Sequence, residues 1–306
     1  MSGDAFARLA DPYRRELLAY CYRMLGSFHD AEDLVQETYL RAWRAHAEFD
    51  VSRASLRTWL YRIATNACLS ALAGRQRRVW ASEWVADPPD ELTLRPDIPW
   101  LQPFPADPAA LAESRDTIRL AFVAALQHLP ARQRAVLILR DVLAWRATEV
   151  ASLLGTTTAG VNSALQRARA QLADVSPAEV AEPGDAERRA ALDRYVAAFV
   201  DADLDGLMTL LTDDILLEMP PFANWYRGPG AIHRFLAPRM LPGRWRMTPV
   251  TINGEPGTAG YIRRDDGVYH AHSLQAFTLT KAGISWIVAF VEPDLFPRFG
   301  LPLTVS

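Results

Sequence analysis

Between residues 79 and 110 the chain places prolines at Pro88, Pro89, Pro96, Pro99, Pro103, Pro105 and Pro108, and all apolar periodicity is lost there. Proline fixes φ and has no N–H to donate, so neither a helix nor an inner strand can run through such a stretch. The chain is therefore expected to divide into separate blocks on either side of it. Residues 79–112 read as an extended tether between a block at 5–78 and a block at 113–175. A second break, at Ser176-Pro177 and Glu182-Pro183-Gly184, makes 176–186 another linker and sets off a third block, 187–306. With 306 residues, 50% of them hydrophobic, the chain can build several cores.

Charge and cysteine usage remove some classes of function. The net charge is −3, so nucleic acid would have to be met by local arginine clusters rather than by a uniformly basic surface. Cys21 and Cys68 lie inside apolar helical patterns, away from any Cys or His that would complete a metal site, and read as buried thiols. No metal or cofactor is expected. The first residues lack a basic-then-apolar leader, and no apolar run reaches the ~20 residues of a membrane span, so a cytoplasmic protein without membrane contact is expected.

In the first block, Asp30-Ala-Glu-Asp-Leu-Val-Gln-Glu-Thr-Tyr-Leu-Arg-Ala-Trp-Arg44 has helical spacing, with Ser27 or Asp30 as cap and acidic residues in its first turn. Its inward face leaves Asp33, Gln36, Glu37, Arg41 and Arg44 outside, a set that suits docking on a protein or merely a solvated surface. In the following helix, 56–78, Leu56, Trp59, Leu60, Ile63, Ala67 and Ala71 recur at core spacing. Arg57, Tyr61, Arg62, Thr65, Asn66 and Ser70 take the other side. Arginine contacts phosphate, asparagine reads base edges and an aromatic ring stacks on a base. The polar loop before it, with Phe49, Ser52 and Arg53, can accept an extruded base.

In the second block, Ala147-Thr-Glu-Val-Ala-Ser-Leu-Leu154 is a short helix closed by Gly155, and Thr156 or Thr157 caps the next helix. On that helix Val161, Leu165, Ala168 and Leu172 face inward. Thr158, Ala159, Asn162, Ser163, Gln166, Arg167 and Arg169 stay outside. Small residues near the N-terminus, amides and arginines are what a recognition helix in a major groove requires. A plain helical bundle shares the periodicity but rarely this turn and polar set together.

These residues carry a resemblance. Asp30 to Trp43, together with Thr58-Trp-Leu-Tyr-Arg-Ile-Ala-Thr-Asn-Ala-Cys68, resembles region 2 of bacterial extracytoplasmic-function sigma factors of the sigma-70 family, and 126–172 resembles their region 4. The resemblance implies that Asp33, Gln36 and Glu37 dock on the β′ clamp helices of RNA polymerase core. It implies that Phe49, Ser52, Arg53, Tyr61, Arg62 and Asn66 read and melt the −10 element of promoter DNA. Thr158, Asn162, Ser163, Gln166, Arg167 and Arg169 would read the −35 element, and the helices around 132–141 would meet the β flap. A DNA-binding regulator independent of polymerase is the alternative.

The third block starts helical at 195–211. It then alternates as strands at 215–219, 247–252, 259–263, 268–280 and 284–291, with a short helix at 230–236 and turns at Asn253-Gly254, Asp266-Gly267 and Ala282-Gly283. The order of elements, with Thr212-Asp-Asp-Ile215, Tyr226-Arg-Gly228 and 286–291, resembles SnoaL-like domains of the NTF2-like superfamily, an α+β cone. The expected fold is thus two all-α domains followed by this cone. One reading makes the cone a regulatory module that packs on the sigma domains or the linker through Trp100, Phe104, Phe296 and Phe299. Another makes it an isomerase or cyclase using Asp213, Asp214, His233, His270 or His272, the last two sharing a strand face. A third gives it a small-molecule pocket around Trp225, Tyr226, His270, His272 and Trp286, with Phe277; a plain aromatic core is the alternative.

Overall fold

In the computed structural model the residues described are 3–50, 52, 54–74, 91–95, 97–105, 118–175 and 184–306. The chain divides into two compact units, Met1–Arg77 with Ala112–Ala178, and Arg78–Leu111 with Glu179–Ser306.

The first unit is helical: α1 (Gly3–Ala10), α2 (Arg14–Leu25), α3 (Phe28–Arg44), α4 (Leu56–Ala73), α5 (Leu120–Gln127), α6 (Ala131–Leu137), α7 (Ala147–Leu154) and α8 (Thr158–Val175). Local chemistry sets the ends. Gly26 closes α2 in the left-handed region, and the Ser27 hydroxyl accepts the Asp30 N–H at the start of α3. Ser55 caps α4 through the Thr58 N–H. Leu17, Tyr20, Cys21, Met24, Val35, Leu60, Ala64 and Cys68 are buried among α2, α3 and α4. Leu56, Trp59 and Ile63, expected in this core, are only half-buried; Trp59 stacks instead on Phe49, with ring centroids 4.7 Å apart. Between α6 and α7 a π-helical turn spans Ile138–Val142.

The second unit has α9 (Asp185–Val200), α10 (Leu204–Met208) and α11 (Pro229–Leu236) over a curved sheet. The strands are β1 (Leu211–Met219), β2 (Phe222–Arg227), β3 (Trp245–Ile252), β4 (Glu255–Arg263), β5 (Tyr269–Thr280), β6 (Gly283–Phe290) and β7 (Thr304–Val305). They are ordered β2-β1-β6-β5-β4-β3, with β7 paired to β5 and β1 parallel to β6. The inner face buries Tyr195, Phe199, Leu207, Ile215, Leu217, Phe277 and Ile287. The outer face is covered too: Ala259, Tyr261, Leu274, Val288 and Phe290 are buried, and Phe296 packs edge-on against Tyr261 at 5.1 Å.

Part of that cover is the segment that reads in sequence as a loose tether. Residues 91–95 and 97–105 form a strap from one sheet edge to the other. At β2, the Thr93 N–H donates to Asn224 Oδ1 (2.8 Å), Asn224 Nδ2 donates to the Glu91 carbonyl (3.1 Å), and the Ala223 N–H donates to the Thr93 carbonyl (2.9 Å). At the β3–β4 turn, the Phe104 N–H donates to Asn253 Oδ1 (2.9 Å) and the Asn253 N–H returns to the Phe104 carbonyl (3.0 Å). Between the pins Ile98, Leu101 and Phe104 are buried, and Trp100 meets Trp225 edge-on at 6.0 Å. Extended chain lacks internal hydrogen bonds, so these side-chain amides supply partners that a helix or ladder would otherwise provide.

Candidate nucleic-acid interface

On α3, Asp33 and Gln36 are exposed and Glu37 is partly so, paired with Arg41 at 2.6 Å. Sequence reasoning passed over two neighbours. Leu40 and Trp43 are 54% and 48% exposed. Positions 33, 36, 40 and 43 fall at steps of three and four, so they share one face of the helix, and the periodicity alone places them there. Apolar side chains left outside on a carboxylate-bearing stripe make a protein-docking surface chemically reasonable.

In the loop before α4, Asp50 Oδ1 accepts from both the Ser52 N–H (2.9 Å) and the Ser52 hydroxyl (2.7 Å), and these two bonds hold its carboxyl below the usual range. Phe49, stacked on Trp59, and exposed Ser52 are thereby positioned next to the start of α4; Arg53 lies outside the described residues. On α4, Asn66 is exposed and Arg62 is half-buried, its Nε without a hydrogen-bond partner among the described residues.

Tyr61 departs from expectation. Read in sequence as a base-stacking ring, it is 0% exposed, wedged between Tyr20 and Trp145, each with a centroid 5.1 Å away. Burial raises its phenol well above the ordinary value. Arg57 lies over both the Tyr61 and Trp145 rings, at 5.2 and 5.6 Å, and is held there by Glu16 through bonds of 2.9 and 3.0 Å. Trp145 comes from the far half of this unit, a contact that helical periodicity in one segment does not encode. Arg134 reinforces it: buried, it donates to the Met24 and Leu129 carbonyls and to Gln127 Oε1, and Gln127 donates to the Arg23 carbonyl.

The α7–α8 pair has the geometry of a helix-turn-helix. Gly155 ends α7 at φ 61°, which a residue with a Cβ reaches only under strain, and Thr157 Oγ1 accepts the Gly160 N–H at the start of α8. Val161, Leu165 and Ala168 are buried, while Thr158, Asn162, Ser163, Gln166, Arg167 and Arg169 are all exposed. Arg167 donates to Ser163 Oγ (3.2 Å). Arg169 is bound to both oxygens of Asp141 (2.7 and 2.9 Å), which raises its pKa.

The residues expected to line a pocket in the second unit do not converge. Trp225 turns to Trp100 on the outer face, and His270 pairs with Asp266 at 2.7 Å. The Trp286 indole donates to Glu218 Oε1 (3.0 Å), and Tyr226 packs on Phe235 at 4.3 Å. Among these five, His272 alone lines the inner cavity, with its ring 5.2 Å from Trp245. The expected shared face of His270 and His272 is broken by a β-bulge: Ala271 pairs with Tyr261 and Ser273 with Gly260, so His272 has no opposite number. Asp213 and Asp214 are exposed on β1, and His233 meets Asp205 at 3.8 Å. Phe296, expected to pack on the sigma domains or linker, lies against Tyr261 of its own sheet. Among the described residues there is no cluster of metal-ligating groups, and no helix is long and apolar enough to cross a membrane.

A capped helix-turn-helix with an outward amide-arginine face, following a four-helix block in the chain, defines a promoter-binding transcription factor of the sigma-70 type. Models for Sigma-70 region 2 match residues 9–78 and for Sigma-70 region 4 residues 119–172, and a SnoaL-like domain model matches 192–291. The ECF RNA polymerase sigma factor SigG of Mycobacterium tuberculosis is 49% identical over 98% of this chain and 84% of its own. The SigJ factor of the same organism is 29% identical over 95% of this chain and 92% of its own. The crystal structure of SigJ superposes with a TM-score of 0.67 at 26% identity, over 97% of this chain and 99% of that one. The chain belongs to the ECF RNA polymerase sigma factors and carries a C-terminal SnoaL-like domain.

Proposed function

We propose that this sigma factor docks on polymerase core through Asp33, Gln36, Glu37, Leu40 and Trp43. In this reading the first three meet the β′ clamp helices, and the helices around 132–141 meet the β flap. Phe49, Ser52, Arg62 and Asn66, with Arg53 from the undescribed part of the loop, read and open the −10 element. The exposed residues of α8 read the −35 element. Each module alone buries little surface, and binding both to one polymerase makes the second DNA contact intramolecular. The protein would act in the cytoplasm, where core polymerase and promoter meet.

We infer further that the C-terminal domain regulates the factor in cis, without catalysis. The observation that carries this is the strap: residues 91–105, part of the connection between regions 2 and 4, are pinned to the C-terminal sheet by Asn224 and Asn253. While pinned, a segment of ~3.3 Å per residue cannot also extend between the two DNA readers. The enzyme reading finds less support. A general acid and base must converge on one cavity, whereas His270, Asp213 and Asp214 lie away from the cavity that holds His272.

The test is transcription in vitro with reconstituted holoenzyme, comparing the intact factor, a chain lacking 184–306, and the double variant Asn224→Ala with Asn253→Gly. Glycine keeps the left-handed turn at position 253 while removing the pinning amide. Each pinning bond contributes about 1 kcal/mol, so a several-fold change in promoter output, shared by truncation and double variant, is expected. Output equal to that of the intact factor in both would remove the regulatory reading. Asp33→Arg should abolish capture of core polymerase, and retained capture would favour a regulator independent of it.

A further inference from the structure

The C-terminal domain has a second hollow, a groove of about 520 Å³ between α9 and the β5–β6 turn. It shares no lining residue with the inner cavity that holds His272. Glu187, Ala191 and Arg194 recur on α9 at steps of four and three, so one face of that helix forms one wall. The other wall is the turn 280–283, and Leu210 and Leu279, both half-buried, add hydrocarbon.

The turn is held stiffly. The Thr280 hydroxyl accepts the Ala282 N–H and donates to the Gly283 carbonyl, each at 3.1 Å, and the Ile284 N–H donates to the Leu210 carbonyl at 2.9 Å. A Cβ at Gly283 would stand 2.7 Å from that same Leu210 oxygen, so only glycine lets the turn approach so closely. Lys281 is therefore presented from fixed backbone rather than from a loose tip.

Charge in the groove is unbalanced. Its charged lining residues are Glu187, Arg194 and Lys281. Glu187 is committed elsewhere: its Oε2 accepts the Gly184 N–H at 2.9 Å and caps α9. Arg194 and Lys281, both exposed, have neither hydrogen bond nor ion pair among the described residues. One cation without a carboxylate partner thus stands on each wall, beside leucine side chains. A guanidinium fork and an ammonium point charge are the donors that carboxylate and phosphate groups take. The volume falls within the ~300–1,000 Å³ of sites that hold small organic molecules.

We propose that this groove binds a small soluble organic anion, one carboxylate or phosphate group on a hydrocarbon body. Arg194 and Lys281 hold the head group, and Ala191, Leu210 and Leu279 meet the body. The site depends neither on the cis-regulation reading nor on any guest in the inner cavity.

Calorimetric titration of the full chain with hexyl phosphate, hexanoate, hexanol and inorganic phosphate tests the site. Saturable binding of hexyl phosphate and hexanoate is expected. Hexanol and inorganic phosphate, each lacking half of the recognised chemistry, should bind at least about tenfold more weakly. Arg194→Met and Lys281→Met, at exposed positions, should each weaken hexyl phosphate about tenfold through loss of a charge-assisted hydrogen bond. Ala191→Phe should block the groove. Lys281 is the only lysine of the chain, so its acetylation by an amine-directed ester, read by mass spectrometry, reports occupancy at one known atom. Hexyl phosphate should protect it several-fold, and Arg194→Met should remove the protection. Binding of no probe, equal binding of hexanol, binding indifferent to all three variants, or binding that leaves Lys281 fully reactive would each overturn the site. Inorganic phosphate or a glutamate hexapeptide binding more tightly than hexyl phosphate would overturn the ligand class, the first leaving a bare anion site and the second a peptide-docking surface. Sedimentation of the chain with phosphatidic-acid vesicles, lost in Arg194→Met, would overturn the soluble ligand in favour of a lipid head group.

Discussion

Arg169 sits on the DNA-facing side of α8 with its guanidinium already bound to both oxygens of Asp141. Two of its five N–H donors and much of its charge are taken up by that carboxylate, so it meets a phosphate less favourably than a free arginine would. Asp141→Asn should therefore strengthen DNA binding by region 4 and steepen its salt dependence by about one released counterion, measured by anisotropy across a salt series. An unaltered slope would show that Arg169 does not meet phosphate. His272 makes a second prediction. Desolvation first, then Arg244 and Arg264, lower its pKa to about 4, below the ~6.5 of the unfolded chain. Between those values the unfolded state binds the extra proton, so stability falls as pH drops from 6.5 towards 4. Thermal denaturation across that range should show a smaller decline for His272→Gln. The chemistry of His272 was legible in the sequence, but its direction was not. Strict alternation puts His270 and His272 on one face, and the bulge that separates them has no Gly or Pro on β5 itself; its glycine, Gly260, stands across the ladder on β4.

Elements with local signals were readable. Ser27, Ser55, Gly155 and Thr157 mark helix ends as the residue types suggest, and Asn253-Gly254 makes the β3–β4 turn with both φ angles positive. β2 has no separate place in a sequence reading, because Phe222–Arg227 follows Pro220-Pro221 and is too short and mixed to alternate. The packing of Tyr61 on Trp145 was equally hidden, since each side chain finds its partner far along the chain. Trp145→Ala should cost about 3–5 kcal/mol in denaturant unfolding, the usual penalty for a buried indole. It should also make Tyr61 reactive to tetranitromethane in the folded protein. A Tyr61 that stays protected would mean that Tyr20 and Arg57 suffice to bury it.

At the scale of the molecule, the motifs of regions 2 and 4 and the late strands reveal the family, because those residues are tied to a partner's surface or to sheet pleating. The strap escapes notice for the opposite reason. Proline-rich chain has no period, and what orders it is a pair of asparagines more than a hundred residues downstream. The strap meets the sheet at Leu94 opposite Phe222 on β2 and at Pro105 opposite Ile252 on β3, which are its two marginal strands. Unpaired margins are templates on which other chains add strands. A factor that sheds this cover therefore gains stickiness along with freedom, and a chain lacking 91–105 should elute as concentration-dependent oligomers in size-exclusion chromatography. Solubility and activity are in that sense guarded by the same stretch of backbone.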